Sequence, residues 1–554
     1  MSGPGLQWLD YAAVVGYLAV TAWIAYWATR RTDNTEDYFV GGRSMPWLAV
    51  GLSIMATLLS TQTYLAVPGE MIRNGPSYVI GYAAYPVIYL IVSRLWVPFF
   101  MRLHLTSAYE YLERRFNYPA RLLGNLLFLG MRLGWMSMVV YAASLAMTAM
   151  VPGPLTAVTQ WVHPDMEAIY LVIGAVGVAA TIYACIGGIK AVIWTDVLQA
   201  VMLFGGVAVI IGYTIWSEGN GPVAWWNAVK ADGVTAPKIN WFGDFDITVR
   251  MTVFWAFLNT VSWHSCTHCC DQVALQRYFA TTSATAARRS FLVSLASSAA
   301  IGVLLAISGL ALRYFFMRHS DLLREGIMAT SGADQLMPFF FADVLPAGFG
   351  GLILVSFLCD ALQTVGSGVN SIAAIVTRDA QQHGGGAAGS VRAARLITLA
   401  VGAVTSVLAV GACYYALHTG SSIIDMMPRM FNMFLGPLAV LFMIGMFYRR
   451  ATASVAIGSV LLTQLMSTLW SWWGEVPALL TRVGLSGAAE AWISVLGVDA
   501  AGMLRTPSIM LAIFTPVVFG LLVGGVASLL FGRRGHAGSE YTWRNVLRRP
   551  VEQG

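Results

Sequence analysis

The 554-residue chain combines 11% charged residues with 57% hydrophobic residues. Ordinary globular chains contain about 25% charged and about 45–50% apolar residues, so a soluble multidomain protein is excluded. The formal net charge of +6 does not indicate nucleic-acid binding, because the basic residues lie singly or in pairs between apolar runs and form no stripe. The composition therefore predicts a polytopic membrane protein.

Thirteen apolar runs follow one another along the chain, each near or above the ~20 residues that cross a bilayer. They cover about 9–29, 47–67, 78–100, 122–150, 168–186, 191–216, 249–275, 291–316, 348–377, 396–417, 423–447, 451–473 and 508–531. The first run has no basic residue before it and Arg30 and Arg31 after it, the reverse of a signal peptide, so we expect a retained helix. All six cysteines lie within apolar stretches, where no extracellular disulfide framework is expected.

Positive charge is distributed unevenly between the loops on the two sides of these spans. With the N-terminus outside, most arginines fall in inner loops, and far fewer basic residues, such as Lys230 and Arg482, fall in outer ones. The positive-inside rule therefore predicts a multi-pass protein of the cell membrane with an outer N-terminus and a cytoplasmic C-terminal tail. The long connections 217–248, 317–347 and 474–507 then lie outside.

The second span is polar in its middle, where residues 60–63 read Ser-Thr-Gln-Thr, and Pro68 and Gly69 are expected to end it. Such a helix can break and lend backbone carbonyls to a cation. Small polar residues in a span also serve packing and hydrogen bonds between helices. The sequence leaves both interpretations open.

The seventh span carries a dense polar cluster in the sequence FLNTVSWHSCTHCCDQVALQR. His264 and His268 are four residues apart and share one helix face, and Cys269 and Cys270 follow them. This pattern raises the alternative of an intramembrane metalloenzyme, which predicts bound zinc and inhibition by a chelator. The paired C-x-x-C and H-E-x-x-H spacings of strong zinc sites are absent, so we expect these side chains to line a wet cavity.

The ninth span places hydroxyl, amide and carboxylate side chains at spacings of three and four residues. These residues are Asp360, Gln363, Thr364, Ser367, Asn370 and Ser371. They form one polar stripe on one helix. Their oxygen atoms are hard ligands that suit a hard cation better than a soft metal, so this helix is predicted to carry a cation site.

Four further charges lie within apolar runs: Arg132 in the fourth, Asp196 in the sixth, and Asp425 and Arg429 in the eleventh. An unpaired guanidinium as deep as that of Arg429 costs on the order of 3 kcal/mol on insertion scales. We expect it either to bind a substrate anion or to pair with Asp425, which shares its helix face.

Five phrases of the sequence, DYFVGGRSMPWLAVGLS, TSAYEYLERRFN, GGIKAVIWTDVLQA, DQVALQRY and LQTVGSGVNS, resemble the sodium:solute symporter family in this order. The resemblance implies an all-α polytopic membrane protein with about 13 transmembrane helices and a LeuT-like core of two inverted five-helix repeats. The resemblance also implies four segments. They are an extra helix with its inner loop (1–46), the core (47–450, with repeats 47–216 and 247–450), two additional helices (451–531) and a cytoplasmic tail (532–554).

The resemblance also implies a sodium site built from the backbone carbonyls of Ala56, Leu59 and Asp360. The two adjacent hydroxyls of the family's site fall on Gln363 and Thr364, so an amide replaces one hydroxyl, and an acid stands where a small residue is common. The amide oxygen could replace the lost hydroxyl, the acid could add charge, or a proton could replace the ion.

Two further sets of residues are implied by the resemblance. Asp196 matches the acid of the TDVxQ motif, which in some members forms a further ion or proton site with serines of the ninth span, here Ser367. The substrate-binding positions that the resemblance implies are His264, Ser298 and Arg429, and the polar clusters of the second and seventh spans add Gln62, Thr63 and His268 as candidates. The family's sugar-binding set is absent, and AVPGEMIRNG resembles the iodide, monocarboxylate and vitamin branch.

The sequence therefore predicts a sodium-coupled symporter, and not an enzyme, that imports a small anion such as a monocarboxylate by alternating access. A neutral solute (sugar, polyol or amino acid) and proton coupling are the alternatives. No cofactor is expected beyond the coupling ion sodium, and the partners are the solute and the bilayer, with no nucleic acid and no obligatory protein partner. A membrane sensor would need a signalling domain, for which the residues after Phe531 are too few.

Overall fold

The structure is a computed structural model that describes residues 7–29, 41–103, 105, 107–151, 167–183, 189–231, 241, 245–323, 332–383, 391–499, 502–533, 535 and 538–548. Arg30, Arg31 and Cys185 lie outside these residues. The described part contains no β-strand, and its two isolated bridges join Met45 to Thr281 and Val498 to Leu504. The fold is therefore all-α, as predicted.

Thirteen helices correspond to the thirteen predicted runs. They are α1 (Trp8–Thr29), α2 (Trp47–Asn74), α3 (Ser77–Arg102), α4 (Tyr118–Met150), α5 (Ala168–Tyr183), α6 (Ile189–Glu218), α7 (Val253–Cys270), α8 (Ala284–Arg318), α9 (Phe349–His383), α10 (Val391–Thr419), α11 (Ile423–Phe447), α12 (Ala453–Ser471) and α13 (Phe514–Leu530). Within the described residues, ten of these helices are long and apolar enough to cross a membrane; α1, α5 and α7 fall short of that criterion.

Short helices lie in the connections between the long ones. They are Glu110–Arg115, Pro222–Ala231, Gln272–Phe279, Leu336–Asp343, Val476–Arg482, Ser486–Leu496 and Trp543–Arg548. Gln272–Phe279 follows α7 directly and contains most of the DQVALQRY phrase. This short helix carries Arg277, a buried arginine.

The chain divides into two compact units. The first comprises Met1–Val79, Arg132–Lys238 and Gln276–Met426, and the second comprises Ile80–Met131, Ile239–Leu275 and Met427–Gly554. Each unit takes segments from both predicted repeats, so the repeat boundaries remain a prediction.

Helix α2 extends beyond the point where the sequence was expected to end it. Pro68 and Gly69 lie inside the helix, which continues to Asn74. The expectation was wrong because packing against neighbouring helices compensates for the one hydrogen bond that proline cannot donate. The helix ends instead just before Gly75. Gly75 has φ 81° and donates its N–H to the Met71 carbonyl at 3.2 Å, the left-handed end that glycine favours.

Helices α2 and α8 pack closely at two glycines. A Cβ atom at Gly51 would lie 2.6 Å from the carbonyl oxygen of Ser290, and one at Gly309 would lie 2.7 Å from that of Pro68. Both distances are shorter than any real Cβ contact, so the two backbones approach each other only because these residues lack a side chain.

Gly51→Ala and Gly309→Ala should each destabilise the protein by about 1–3 kcal/mol, because the added methyl group forces the two backbones apart. The measurement is the thermal unfolding midpoint of the purified protein in detergent. Gly212→Ala on α6 is the matched control, since no heavy atom lies within 4 Å of its added methyl group. An unchanged midpoint in both test variants would show that α2 and α8 are not held this closely.

The start of α9 is fixed by an acid on α1. Asp10 is 3% exposed and accepts hydrogen bonds from Gly348 N at 2.8 Å and Gly351 N at 2.7 Å. A carboxylate at this position satisfies free N–H groups of the helix N-terminus. The helix that carries the polar stripe is thereby anchored at one end.

Candidate ion and substrate site

Helix α2 is broken in its middle. Ser60 has φ 36° and ψ 164°, outside the helical region, so the predicted break is present, while cation binding by its carbonyls stays a prediction. In a continuous helix Thr61 N would donate to the carbonyl of Thr57; here it is directed to Asp360 of α9. Ala56 and Leu59, both buried, lie in the turn before the break.

The Asp360 carboxylate lies at this break. Its Oδ2 accepts from Thr61 N and from Thr61 Oγ1, each at 2.5 Å, and its Oδ1 accepts from Gln199 Nε2 of α6. Asp360 is 1% exposed, and all three donors are neutral groups. The acid therefore caps the second half of α2 and brings negative charge to the break.

Residues that follow Asp360 or flank its partner Thr61 carry buried polar atoms that have no hydrogen-bond partner in the described part of the chain. They are Oε1 and Nε2 of Gln363, Oγ of Ser60 and Oε1 of Gln62. Gln363 is one helical turn beyond Asp360, and Ser60 and Gln62 flank the Thr61 that binds Asp360. Buried polar atoms of this kind are normally satisfied. Three of the four are oxygens that a hard cation would bind, so the residues fit a sodium ion.

The hydroxyls further along the α9 stripe are bound to their own helix. Ser367 Oγ donates to the Thr364 carbonyl at 3.1 Å, and Ser371 Oγ donates to the Ser367 carbonyl at 2.9 Å. Such bonds to the preceding turn are common for serine in helices. The side chain of Asn370 lies outside the described part. Among the described residues of the stripe, the buried side-chain oxygen without a partner is therefore that of Gln363, near the break.

Asp196 takes part in a buried ion pair: its Oδ2 accepts from Arg277 NH2 at 2.9 Å. The same oxygen accepts from Ser53 Oγ at 2.5 Å and Thr57 Oγ1 at 3.2 Å. The Asp196 carboxylate therefore has the Arg277 guanidinium as a countercharge. The further ion or proton site with Ser367, which the resemblance implies, stays a prediction.

Arg277 completes this network with the first half of α2. Its Nε donates to Ser53 Oγ at 2.8 Å and its NH2 to Thr57 Oγ1 at 2.5 Å. Arg277 is 1% exposed, so the pair lies in a medium where an unpaired charge is costly. The network holds the half of α2 that precedes the break against α6.

At its other end, α2 is tied to the segment before α9. Arg73 NH2 donates to Asp334 Oδ1 at 2.6 Å, and Asp334 Oδ2 accepts from Ile423 N at 3.2 Å. Burial raises the pKa of Asp334 to about 6, against the attraction of Arg73. One carboxylate thus joins the end of α2 to the first residue of α11.

The histidines of α7 lie among aromatic rings. The His264 and His268 rings are nearly parallel, with centroids 6.0 Å apart, and His264 contacts Tyr85 and Trp263 edge-on, at 5.2 Å and 4.8 Å. No group of three or more His, Cys, Asp or Glu side chains that could hold a metal is found among the described residues. This environment favours stacking over metal coordination.

Arg429 has an acidic partner that the sequence did not indicate. Its NH2 donates to Glu475 Oε1 at 3.2 Å, and its guanidinium lies 5.8 Å from the Trp472 ring centroid. Glu475 follows α12, 46 residues further along the chain. Asp425, the partner considered from the sequence, accepts from Ser422 Oγ at 2.6 Å. The charge of Arg429 is therefore partly neutralised by a half-exposed acid.

A second guanidinium lies beside the polar stripe. Arg132 of α4 is 1% exposed, and a methyl group at Gly368, next to Ser367, would lie 3.5 Å from its Cδ. Its guanidinium is 5.7 Å from the ring centroid of Trp135. The aliphatic part of the buried Arg132 side chain therefore passes α9 one turn beyond Thr364, in the same unit as the broken helix.

The profile of the sodium:solute symporter family matches residues 38–463, more than three quarters of the chain. The chain belongs to the sodium:solute symporter family. It is 29% identical over 469 residues to the sodium/sialic acid symporter NanT of Aliivibrio fischeri, a match covering 83% of this chain and 87% of that one. It is 32% identical to sodium-coupled monocarboxylate transporter 1 of Xenopus laevis, covering 67% of this chain and 57% of that one.

Among solved structures, the symporter resembles the substrate-bound outward-open state of a Na⁺-coupled sialic acid symporter. The TM-score is 0.71 at 24% identity, and the match covers 95% of this chain and 98% of that one. This likeness shows the LeuT-like fold. The family and this solved relative are membrane transporters.

The predicted site residues of the symporter are divided between its two units. The first unit contains the predicted sodium residues, Asp196, Ser367, Gln62, Thr63 and Ser298, and the second contains His264, His268 and Arg429. Thr63 of α2 and Ser298 of α8 are half-buried. The structure brings Asp360 and the turn around Ser60 together.

Sequence reasoning missed two residues that hold the site of the symporter. Gln199, which binds Asp360, and Arg277, which binds Asp196, both stand within phrases that carry the family resemblance. Their location in these phrases was the sequence feature that could have marked them as functional residues. Their partners, however, are 161 and 81 residues away, so the pairing itself required the fold.

Proposed function

We propose that this symporter uses the inward sodium gradient to import a small carboxylate by alternating access, with its N-terminus outside and its C-terminal tail in the cytoplasm. The observation that carries the sodium site is the broken helix α2, where Asp360 binds Thr61 and the neighbouring residues Ser60, Gln62 and Gln363 have buried oxygens without a partner among the described residues. Sodium bound there would join α2 to α9 and favour one orientation of the transporter.

Two observations support an anionic substrate. The relatives named for sialic acid and for monocarboxylates both transport carboxylates. The chain also places two guanidiniums, Arg132 and Arg429, within membrane-spanning helices, and guanidinium binds carboxylate through paired charge-assisted hydrogen bonds. Arg132 is the more deeply buried of the two, so we propose it as the principal contact of the substrate carboxylate and Arg429 as the second candidate.

The test is uptake into proteoliposomes with and without an inward sodium gradient. The panel contains short monocarboxylates, sialic acid and a neutral sugar. We expect a carboxylate to accumulate only with the gradient, and a sodium ionophore to abolish accumulation. A neutral sugar as the best substrate would contradict the anion assignment.

Proton coupling is the second candidate, favoured by the buried Asp360 carboxylate and its three neutral donors. A proton could satisfy such an acid where sodium does not. An inward proton gradient imposed without sodium separates the two possibilities. Sodium coupling predicts that the substrate does not accumulate under that gradient. Full accumulation of the substrate would show that the coupling ion is the proton.

The proposed orientation is tested by labelling of introduced cysteines with an impermeant thiol reagent in intact cells. Ser2→Cys should react from outside, and Ser539→Cys should react only after permeabilisation. Labelling of both positions from the same side would contradict the orientation and the number of crossings together.

A further inference from the structure

The connection between α12 and α13 forms a helical hairpin, defined here as residues 476–496, close to the ends of two membrane spans. Its helices are Val476–Arg482 and Ser486–Leu496. Trp470 Nε1 donates to the Ser508 carbonyl at 3.2 Å, and Ser508 Oγ donates to the Arg250 carbonyl at 2.7 Å. The hairpin begins five residues after α12 ends, a length of at most about 17 Å. It therefore lies near the level of the membrane surface.

The second helix of the hairpin has three distinct faces. The face toward the protein consists of Ala489, Trp492, Ile493 and Leu496. Trp492 packs on Trp473 with ring centroids 4.3 Å apart and donates Nε1–H to its carbonyl at 3.2 Å. These contacts fix the rotation of the helix about its axis and so decide which residues point away from the protein.

The two remaining faces are both exposed. Ser486, Glu490 and Ser494, spaced by four residues, form a narrow polar stripe. Ala488, Ala491 and Val495 form an apolar stripe on the other side. A helix that merely covered the protein surface would present polar residues over its whole outer side, so the apolar stripe indicates a second apolar neighbour.

The rest of the hairpin extends this apolar surface. Leu479 is 61% exposed, Val483 is 62% exposed and Val495 is 63% exposed. The adjoining spans expose the same kind of side chain, such as Leu465 of α12 and Leu522 of α13, where lipid is the neighbour. The exposed apolar residues of the hairpin thus continue along the chain from a lipid-facing surface.

We infer that the hairpin docks on the membrane surface, with Leu479, Val483 and Val495 inserted at the boundary between headgroups and acyl chains. The stripe of Ser486, Glu490 and Ser494 faces water. A polar stripe on one side and an exposed apolar stripe on the other are typical of helices that lie in the plane of a membrane. The partner of this surface is the bilayer itself.

Two probes on the same helix test the docking. Val495→Cys and the matched control Glu490→Cys are made in a chain whose native cysteines are replaced, labelled with an environment-sensitive fluorophore and reconstituted in phosphatidylcholine vesicles. We expect lipids with a shallow nitroxide to quench the probe at 495 several-fold more than the probe at 490, and aqueous iodide to do the reverse. Equal quenching of both probes by iodide would overturn the inference.

A second copy of the chain could also cover this face, and dilution distinguishes the two occupants. The probe at 495 should stay protected from iodide when vesicles contain on average fewer than one transporter. Loss of protection on dilution would assign the face to a second copy and overturn the inference. Leu479→Cys, compared with the exposed Thr481→Cys, repeats the measurement on the other helix should either first variant fail to fold.

Discussion

Arg277→Gln should destabilise the protein by about 3–5 kcal/mol, the usual effect of removing one partner from a buried ion pair. The substitution leaves Asp196 at 4% side-chain exposure without its cation. It also removes the donors to Ser53 and Thr57, so the half of α2 before the break loses part of its attachment. The measurement is the thermal unfolding midpoint, together with the yield of monodisperse protein.

Two controls separate this pair from charge removal in general. Arg318→Gln removes an arginine whose own side chain is 59% exposed and whose acid, Glu218, keeps His319 as a second partner, and should change stability much less than Arg277→Gln. Asp196→Asn combined with Arg277→Gln removes both buried charges and should recover much of the loss. A double variant as unstable as Arg277→Gln alone would contradict the assigned pairing.

Arg132→Gln should lower the kcat/KM of carboxylate uptake by roughly 30-fold or more, because removal of one partner from a buried hydrogen-bonded charge pair costs about 2–5 kcal/mol. Gln keeps hydrogen-bonding capacity and loses the charge and the fork geometry. Arg132→Lys should be intermediate. The measurement is initial uptake rate against substrate concentration at saturating sodium, normalised to reconstituted protein.

Arg429→Gln provides the comparison within the same assay. If Arg429 acts through its pair with Glu475, Glu475→Gln should lower uptake by the same factor as Arg429→Gln. A loss in Arg429→Gln that greatly exceeds the loss in Glu475→Gln, with Arg132→Gln near wild type, would move the substrate contact from Arg132 to Arg429.

The architecture could be predicted largely from the sequence. Apolar runs of bilayer length predicted the long helices, because a segment that crosses lipid must satisfy its backbone hydrogen bonds within itself. The polar residues 60–63 marked the place where α2 breaks, since no lipid-facing helix has a reason to contain them. The end of α2 was misplaced at Pro68, because packing against α8 keeps the helix intact through the missing hydrogen bond.

The partners of the site residues could not be predicted in the same way. Asp196 was correctly singled out as an intramembrane acid, but a sequence does not show that Arg277, on another helix, supplies its countercharge. Arg429 was singled out too, whereas Glu475 stands in a connection where an acid is unremarkable. The chemistry of a buried charge can be inferred from its type and depth, and its partner depends on how distant segments pack.

Gln363 tests the sodium site most directly, because both of its buried amide atoms are without a partner among the described residues. Gln363→Leu replaces them with apolar atoms of similar volume, and the measurement is the unfolding midpoint of wild type and variant with and without sodium. Sodium at 100 times its Kd should stabilise wild type by about 2.7 kcal/mol. Without sodium, the variant should be at least as stable as wild type, and sodium should leave its midpoint almost unchanged. An equal sodium-induced rise in both proteins would contradict a sodium site at the break of α2 and the stripe of α9.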